Sequence, residues 1–181
     1  MRKTPLARKT ALRAKKPLKR SNLRTKAKKP VRRQKRRNKD GSLAKSERIR
    51  TLKKKLWKVF SQYIRLSWAD HTGHLTTVDG VVTHWKECDC GHLFANSERS
   101  SLLGGNELWY DERNFAPQSQ SGNRYGADDS AQKYMLWACK TYGTDEVDKM
   151  FRMKQTYKLW TEQELETLYQ HYKAEVERMM V

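Results

Sequence analysis

The chain separates its positive charge from its aromatic residues, and this division limits where a folded core can form. Residues 1–58 contain 26 Lys or Arg and 2 Asp or Glu, whereas residues 59–181 contain 13 and 18, so charges of +24 and −5 give the total of +19. All 18 aromatic residues (6 Trp, 8 Tyr and 4 Phe) lie at or after Trp57. A hydrophobic core therefore has to come from roughly the last 125 residues, a length that suits one compact domain.

Residues 1–43 form a basic arm that cannot bury enough apolar surface to offset the entropy of ordering, so its composition predicts disorder in the free protein. Pro5, Pro17 and Pro30 favour extended chain. Such an arm can follow a phosphate backbone by displacing counterions, which predicts nucleic acid as the partner. A solubilising tail, or one that binds any anionic surface such as RNA or lipid headgroups, is the alternative. The predicted DNA-binding residues of the arm are Lys15, Lys16, Arg32, Arg33, Arg36 and Arg37.

No run of apolar residues approaches the length of a membrane span, and the basic N-terminus is followed by no apolar segment of the kind found in signal peptides. We therefore expect a soluble, intracellular protein with no membrane partner. Three cysteines, an odd number, argue against a disulfide framework and predict reduced thiols.

Two segments have the apolar spacing of amphipathic helices. Residues 44–70 are predicted to form a linking helix, with a stripe at Leu52, Leu56, Val59, Tyr63 and Leu66. Lys53 and Lys54 lie on its outer surface as further candidates for DNA binding. Residues 144–181 are predicted to form an antiparallel pair of helices, about 145–158 and 162–180, the second starting at a capping box from Thr161 to Glu164. This pair is expected to pack on the linking helix, or alternatively to form a homodimer.

The middle segment, residues 71–143, has a shorter and more broken pattern. Residues 81–85 and 107–111 are predicted to be strands, and the Gly-Gly-Asn sequence at 104–106 a turn. A helix is predicted to begin after Asp129 as its N-cap and to end at Gly143. Polar residues able to hold a metal or a phosphate stand at the joints between these elements: Asp89, His92, Asn114 and Asn123.

Three sequence blocks carry a resemblance to a known family: HWKECDCGH at 84–92, WYDERN at 109–114 and NRY at 123–125. Together they resemble the phage NinG/Rap recombination endonucleases, members of the HNH (ββα-metal) nucleases, over roughly residues 50–155. The resemblance implies a metal-dependent endonuclease that cuts branched DNA such as Holliday junctions, in the cytoplasm of a bacterial host if the chain is phage-encoded. It also implies a ββα-metal core surrounded by helices, an α+β fold.

The resemblance assigns a role to each of the four polar residues. His92 falls at the catalytic histidine, Asn114 at the asparagine that braces the loop carrying it, and Asp89 and Asn123 at metal-binding positions. Phosphodiester hydrolysis needs a base to activate water and a hard cation to neutralise developing charge. Carboxylate and amide oxygens suit Mg²⁺ or Mn²⁺. Without the resemblance, each residue has an ordinary structural alternative: a buried histidine, a salt bridge, a loop residue or a helix cap.

Arg113 and Arg124 flank these positions and are predicted to clamp phosphates of the DNA, although solvated surface arginines are the alternative.

The sequence also departs from the family. Members of the family carry two Cys-x-x-Cys pairs that bind a structural zinc, and the aligned positions in this chain are Thr76, Asp79, Ser119 and Gly122. A tetrahedral structural zinc needs four N or S ligands, so we expect this site to be absent and packing to replace it. The aromatic candidates for that packing are Trp85, Trp109, Phe115 and Tyr125. A different zinc site, formed by His84, Cys88, Cys90 and His92, is disfavoured because a strand would spread these residues over roughly 27 Å.

The sequence therefore predicts a structure-selective DNA endonuclease of the HNH class. The alternative is a non-catalytic DNA-binding accessory protein of recombination, in which loss of the zinc ligands accompanied loss of cleavage. A weaker alternative is an RNA-binding protein whose arm engages folded RNA.

Overall fold

The computed structural model describes residues 37–38, 44–95, 104–126 and 129–180. Every described residue belongs to one compact unit, Lys35–Val181. Within these ranges the unit has five α-helices and three small antiparallel strand pairs, which confirms the predicted α+β class. None of the helices in these ranges is long and apolar enough to cross a membrane.

The helix α1, Lys45–Leu66, lies close to the predicted bounds, but its buried stripe is rotated from the predicted one. Val59 and Tyr63 are only half-buried at the edge of the core. The stripe recurs every three or four residues, so one face of the helix meets the core. Its apolar members are Ile49, Leu52, Leu56, Phe60 and Ile64.

The helix α5, Glu162–Met179, begins with the predicted capping box. Thr161 Oγ1 accepts a hydrogen bond from the Glu164 amide at 3.1 Å, and Glu164 Oε2 accepts one from the Thr161 amide at 2.8 Å. The helix packs along α1, where the rings of Tyr172 and Phe60 meet edge to face with centroids 4.9 Å apart.

The three strand pairs are short. β1 (His74–Thr76) pairs with β2 (Val82–His84), so the strand predicted at 81–85 is confirmed in its central part. β3 (Asp89–His92) pairs with β5 (Phe115–Gln118). β4 (Gly104–Gly105) pairs with β6 (Lys158–Leu159), so the turn predicted at 104–106 is wrong.

The strand predicted at 107–111 is also wrong, because residues Glu107–Tyr110 form a 3-10 helix. Leu108 and Tyr110 are buried while Glu107 is exposed, an alternation that imitates a strand in the sequence. Without a neighbouring strand to pair with, the segment packs on the helix α4, Thr144–Gln155, instead.

Two further helices complete the unit. α3, Ser130–Tyr142, agrees with the prediction, but the side chain of Asp129 makes no capping hydrogen bond. α2, Gln120–Tyr125, was not predicted. The predicted antiparallel pair at the C-terminus is wrong, because α5 packs on α1 whereas α4 packs on α3. α4 ends at Gln155, and the chain then continues into the strand β6.

Candidate active site

The antiparallel pair β3–β5 positions the predicted site residues on two opposite faces. Cys90 and Phe115 belong to the apolar cluster of α1, and the ring of His92 lies beside Phe115 with centroids 6.5 Å apart. On the other face, the side chain of Ala116, the partner of Gly91, packs in a cluster with Tyr134 of α3. Side chains alternate along a strand, so Asp89 and His92, three residues and roughly 10 Å apart, face in opposite directions.

Asp89 is held by two residues of α2. Its Oδ1 accepts a hydrogen bond from Arg124 Nη2 and its Oδ2 accepts one from Arg124 Nε, each at 2.8 Å, and Oδ2 also accepts one from Asn123 Nδ2 at 3.1 Å. These bonds, the Arg124 guanidinium first, hold the pKa of Asp89 below its ordinary value. The structure therefore brings together the two predicted metal ligands, Asp89 and Asn123, and joins Arg124 to them.

The start of α2 is fixed at the positions that align with the family's cysteines. Asp79 accepts hydrogen bonds from the Ser119 amide at 3.0 Å and the Ser119 hydroxyl at 2.5 Å. Ser119 Oγ in turn accepts one from the Gly122 amide at 3.0 Å, and a Cβ at Gly122 would lie 2.5 Å from Asp79 Oδ2. Three of the four aligned positions thus meet in space, joined by hydrogen bonds.

The predicted aromatic replacements for the zinc site do not pack there. Phe115 belongs to the α1 cluster, and Trp109 lies against Gly105 and Lys53. Tyr125 is 82% exposed. At the aligned positions, polar residues satisfy one another directly, whereas Phe115 and Trp109 contribute aromatic packing to the α1 cluster and Tyr125 contributes none.

Asn114 braces the loop that follows His92. The side chain is fully buried; Oδ1 accepts a hydrogen bond from the Phe94 amide at 2.9 Å, and Nδ2 donates one to the Phe94 carbonyl at 3.2 Å. The Asn114 carbonyl also accepts a hydrogen bond from the Leu93 amide at 2.8 Å. Asn114 therefore fixes the chain directly after β3, and with it the position of His92.

His92 is exposed to solvent, but enough protein surrounds the ring for it to lose part of its solvation. This desolvation, together with the positive charge of Lys154 at the end of α4, lowers the pKa of His92 from its ordinary value. The neutral imidazole is therefore favoured at neutral pH, the form that can accept a proton. No pattern in the sequence points to Lys154, since it lies 62 positions away in an ordinary amphipathic helix.

Arg113 differs from Arg124 in its surroundings. Its guanidinium pairs with Asp111 at 2.5 Å and with Glu146, which ties the segment before β5 to α4. Both partners are carboxylates, so a phosphate would have to compete with them, and phosphate binding by Arg113 stays a prediction.

The remaining predicted DNA-binding residues are more dispersed. Lys54 is exposed on α1, and Lys53 lies over the Trp109 ring at 4.4 Å, where burial lowers its pKa. Arg37 is exposed. Outside the described residues are Lys15, Lys16, Arg32, Arg33 and Arg36.

The donor set around Asp89 suits a hard divalent cation. A carboxylate and an amide, which can turn its oxygen toward the carboxylate, are donors that Mg²⁺ accepts while keeping several water ligands. The described ranges contain no group of three or more His, Cys, Asp or Glu able to hold a metal, so His84, Cys88, Cys90 and His92 do not form one.

Comparison of the chain with models of protein families, with curated proteins and with solved structures finds no match. The resemblance to the NinG/Rap endonucleases therefore rests on the three sequence blocks.

Proposed function

We propose that the protein is a metal-dependent DNA endonuclease of the HNH class, which hydrolyses phosphodiester bonds in branched DNA such as Holliday junctions. The observation that carries the proposal is the Asn114 amide, which bonds both backbone groups of Phe94 and so fixes the loop after His92. The chain order supports it: a histidine at the end of one strand, the bracing asparagine before its antiparallel partner, and a helix carrying Asn123 directly afterwards.

In this proposal His92 is the general base. Its lowered pKa keeps Nδ1 or Nε2 able to take a proton from the attacking water at neutral pH. Lys154, whose charge contributes to this shift, adds positive potential near the phosphate.

Asp89 and Asn123 would hold Mg²⁺ or Mn²⁺, which would neutralise charge on the phosphate and the leaving oxygen. Arg124 already places a guanidinium beside Asp89, where it can turn to a neighbouring phosphate of the same strand. Within the described residues only β5 pairs with β3, so the other edge of β3 lies between the faces of Asp89 and His92. A DNA strand along that edge can contact both.

One observation favours a second candidate, a non-catalytic DNA-binding accessory protein. Asp89 and His92 lie on opposite faces of β3, and both carboxylate oxygens of Asp89 are bonded to Arg124. A chain that no longer cleaves would retain such a salt bridge as a stabilising contact.

Cleavage of a labelled four-way junction and a matched linear duplex tests the proposal. Wild type, His92→Ala and His171→Ala are each incubated with Mg²⁺, Mn²⁺ or EDTA; His171 is the control because it lies on the exposed face of α5. We expect metal-dependent cutting by wild type and His171→Ala, preferring the junction, and loss of cutting with retained binding in His92→Ala. Binding by wild type without cutting under any metal would instead identify the accessory protein.

A further inference from the structure

We propose that Trp85 and the cations around it form a binding site for an unpaired nucleobase of the nucleic-acid substrate. The site is a pocket of about 520 Å³ between the end of α1, the β1–β2 hairpin and the last residues of α5. It is separate from Asp89, Asn114 and Asn123. Residues that line it include Asp70, His71, His84, Trp85, Lys86 and Met180.

Two cations lie over the Trp85 indole. The Arg65 guanidinium is 5.6 Å from a ring centroid and the Lys86 ammonium is 5.4 Å from one. The Arg65 side chain is fixed by three hydrogen bonds to backbone carbonyls. Its Nε donates to Ser61 at 2.9 Å, and its Nη1 donates to Trp85 and Cys88, each at 3.2 Å. Lys86 is exposed and its ammonium can leave the ring. The indole thus has one permanent cation and one that a ligand can displace.

A second aromatic ring is held beside Trp85 by the hairpin. The His84 ring lies 5.8 Å from the indole at an interplanar angle of 32°, and it meets the His74 ring edge to face at 5.6 Å. Gly73 has φ +82°, and a Cβ there would lie 2.6 Å from His84 Nε2. Only glycine at this position allows the backbone to approach His84 so closely, so the ring is kept against Trp85.

These features together fit a base with its adjoining phosphate. Aromatic rings accept the face of any nucleobase, and neighbouring cations contact the backbone, which is how proteins hold single strands. The one carboxylate of the pocket, Asp70, accepts hydrogen bonds from the Thr72 hydroxyl at 2.7 Å and from the amides of His74 and Thr72 at 3.0 and 2.8 Å, and these bonds, the hydroxyl first, lower its pKa to about 2. Arg65 and Lys86 place two positive charges beside the indole against the one ionised carboxylate of the pocket, which favours an anionic strand.

Bases within a duplex are stacked on one another and cannot enter the pocket, so the site selects DNA with unpaired nucleotides. This inference rests on the proposed function for the identity of the substrate as DNA, and it assigns to Trp85 the recognition of unpaired nucleotides next to a branch, such as those of a flap or a fork. Lys86 swings from the indole to the phosphate as the base takes its place.

Binding in EDTA tests the site without cleavage. The full chain is titrated with a duplex that carries a single-stranded flap, with 2-aminopurine as its first unpaired base, and with a fully paired duplex of the same length. Trp85→Ala is compared with wild type, with Trp85→Phe and with Tyr157→Ala, the last an exposed aromatic outside the pocket. Far-UV circular dichroism and the unfolding midpoint verify that each variant is folded.

We expect wild type to quench 2-aminopurine fluorescence on binding, as a stacking ring does. Trp85→Ala should abolish the quenching and weaken flap binding by about tenfold, with duplex affinity changed less than about twofold. Trp85→Phe should retain most of both, and Tyr157→Ala should behave as wild type. Equal affinity of wild type and Trp85→Ala for the flap, or equal loss for flap and duplex, would overturn the inference.

These outcomes are independent of the cleavage assay. Cutting that depends on His92 together with unchanged flap binding in Trp85→Ala would leave the proposed function standing and remove this site. Quenching that depends on Trp85 in a protein that never cuts would support this site and contradict the proposed function.

Discussion

Replacement of Asn114 tests whether its amide holds the loop that follows His92. Asn114→Ala removes the hydrogen bonds at 2.9 and 3.2 Å and leaves the amide and carbonyl of the buried Phe94 without this partner. A buried polar group that loses its partner costs roughly 1–3 kcal/mol, and the small cavity adds to this. We therefore expect the free energy of unfolding to fall by about 2–4 kcal/mol.

Asn114→Asp should make the stabilisation by the same contact depend on pH. When the new carboxyl is protonated, it can accept from the Phe94 amide and donate to the Phe94 carbonyl, as the native amide does. When it is ionised, two acceptors face each other in a buried place. Burial raises the pKa of the new carboxyl above about 3.9, the value in the unfolded chain, so the destabilisation is small below that pH and grows as the pH rises through the folded pKa.

Urea unfolding followed by circular dichroism, at about pH 4 and pH 8, measures both variants against wild type. Asn123→Ala is the matched control, because Asn123 is exposed and donates one hydrogen bond, to Asp89. Its loss should cost less than about 1 kcal/mol. An Asn114→Ala variant within about 0.5 kcal/mol of wild type, or an Asn114→Asp variant whose deficit is the same at both pH values, would refute the reasoning.

Two further predictions concern titratable groups. The His92 ring should titrate below the ordinary value near 6.5, because it is desolvated and Lys154 opposes its protonation; Lys154→Ala should raise the midpoint, and an NMR titration in which the midpoint is ordinary and unmoved would contradict this. Burial would raise the pKa of Asp79, but hydrogen bonds, chiefly from Ser119, outweigh it and lower the pKa. Asp79→Asn should therefore cost about 1 kcal/mol at pH 7 in urea unfolding, after allowance for partial exposure, and the deficit should vanish as the pH falls through the folded pKa of Asp79. A deficit that does not decline at all as the pH falls below about 3.9, the ordinary value for Asp, would show that the charge of Asp79 is not its source.

The sequence predicted the helices that have a continuous apolar stripe or a defined cap. α1 shows its period over six turns, and α5 adds the capping box at Thr161, so both could be placed within a few residues. The rotation of the buried stripe of α1 could not be predicted, because the apolar residues occupy more than one side of the helix and the position of α5 decides which side is covered.

The strands at the candidate site lacked such signals. β5 contains Pro117 between Ala116 and Gln118, and all four of its residues are buried, so neither alternation nor β-propensity marks it. α2 has only six residues, fewer than a periodic pattern needs. The residue types at the site were predicted from the resemblance. The separation of Asp89 from His92 follows from the strand conformation of residues 89–92, which places side chains three residues apart on opposite faces, and the sequence predicted a strand at 81–85 instead.

Because polar contacts around Asp79 stand where the family has zinc ligands, treatment with EDTA can separate an effect on cleavage from an effect on the fold. In the family that the sequence resembles, two pairs of thiols hold a structural zinc at these positions, so removal of metal would disturb the fold as well as the chemistry. Here Asp79, Ser119 and Gly122 hold the start of α2 by hydrogen bonds, and α2 carries Asn123 and Arg124. These hydrogen bonds should therefore weaken in acid but should not respond to EDTA, and we expect EDTA to leave the unfolding midpoint unchanged. Loss of cleavage in EDTA would then report on the reaction itself, since the helix that carries Asn123 stays in place.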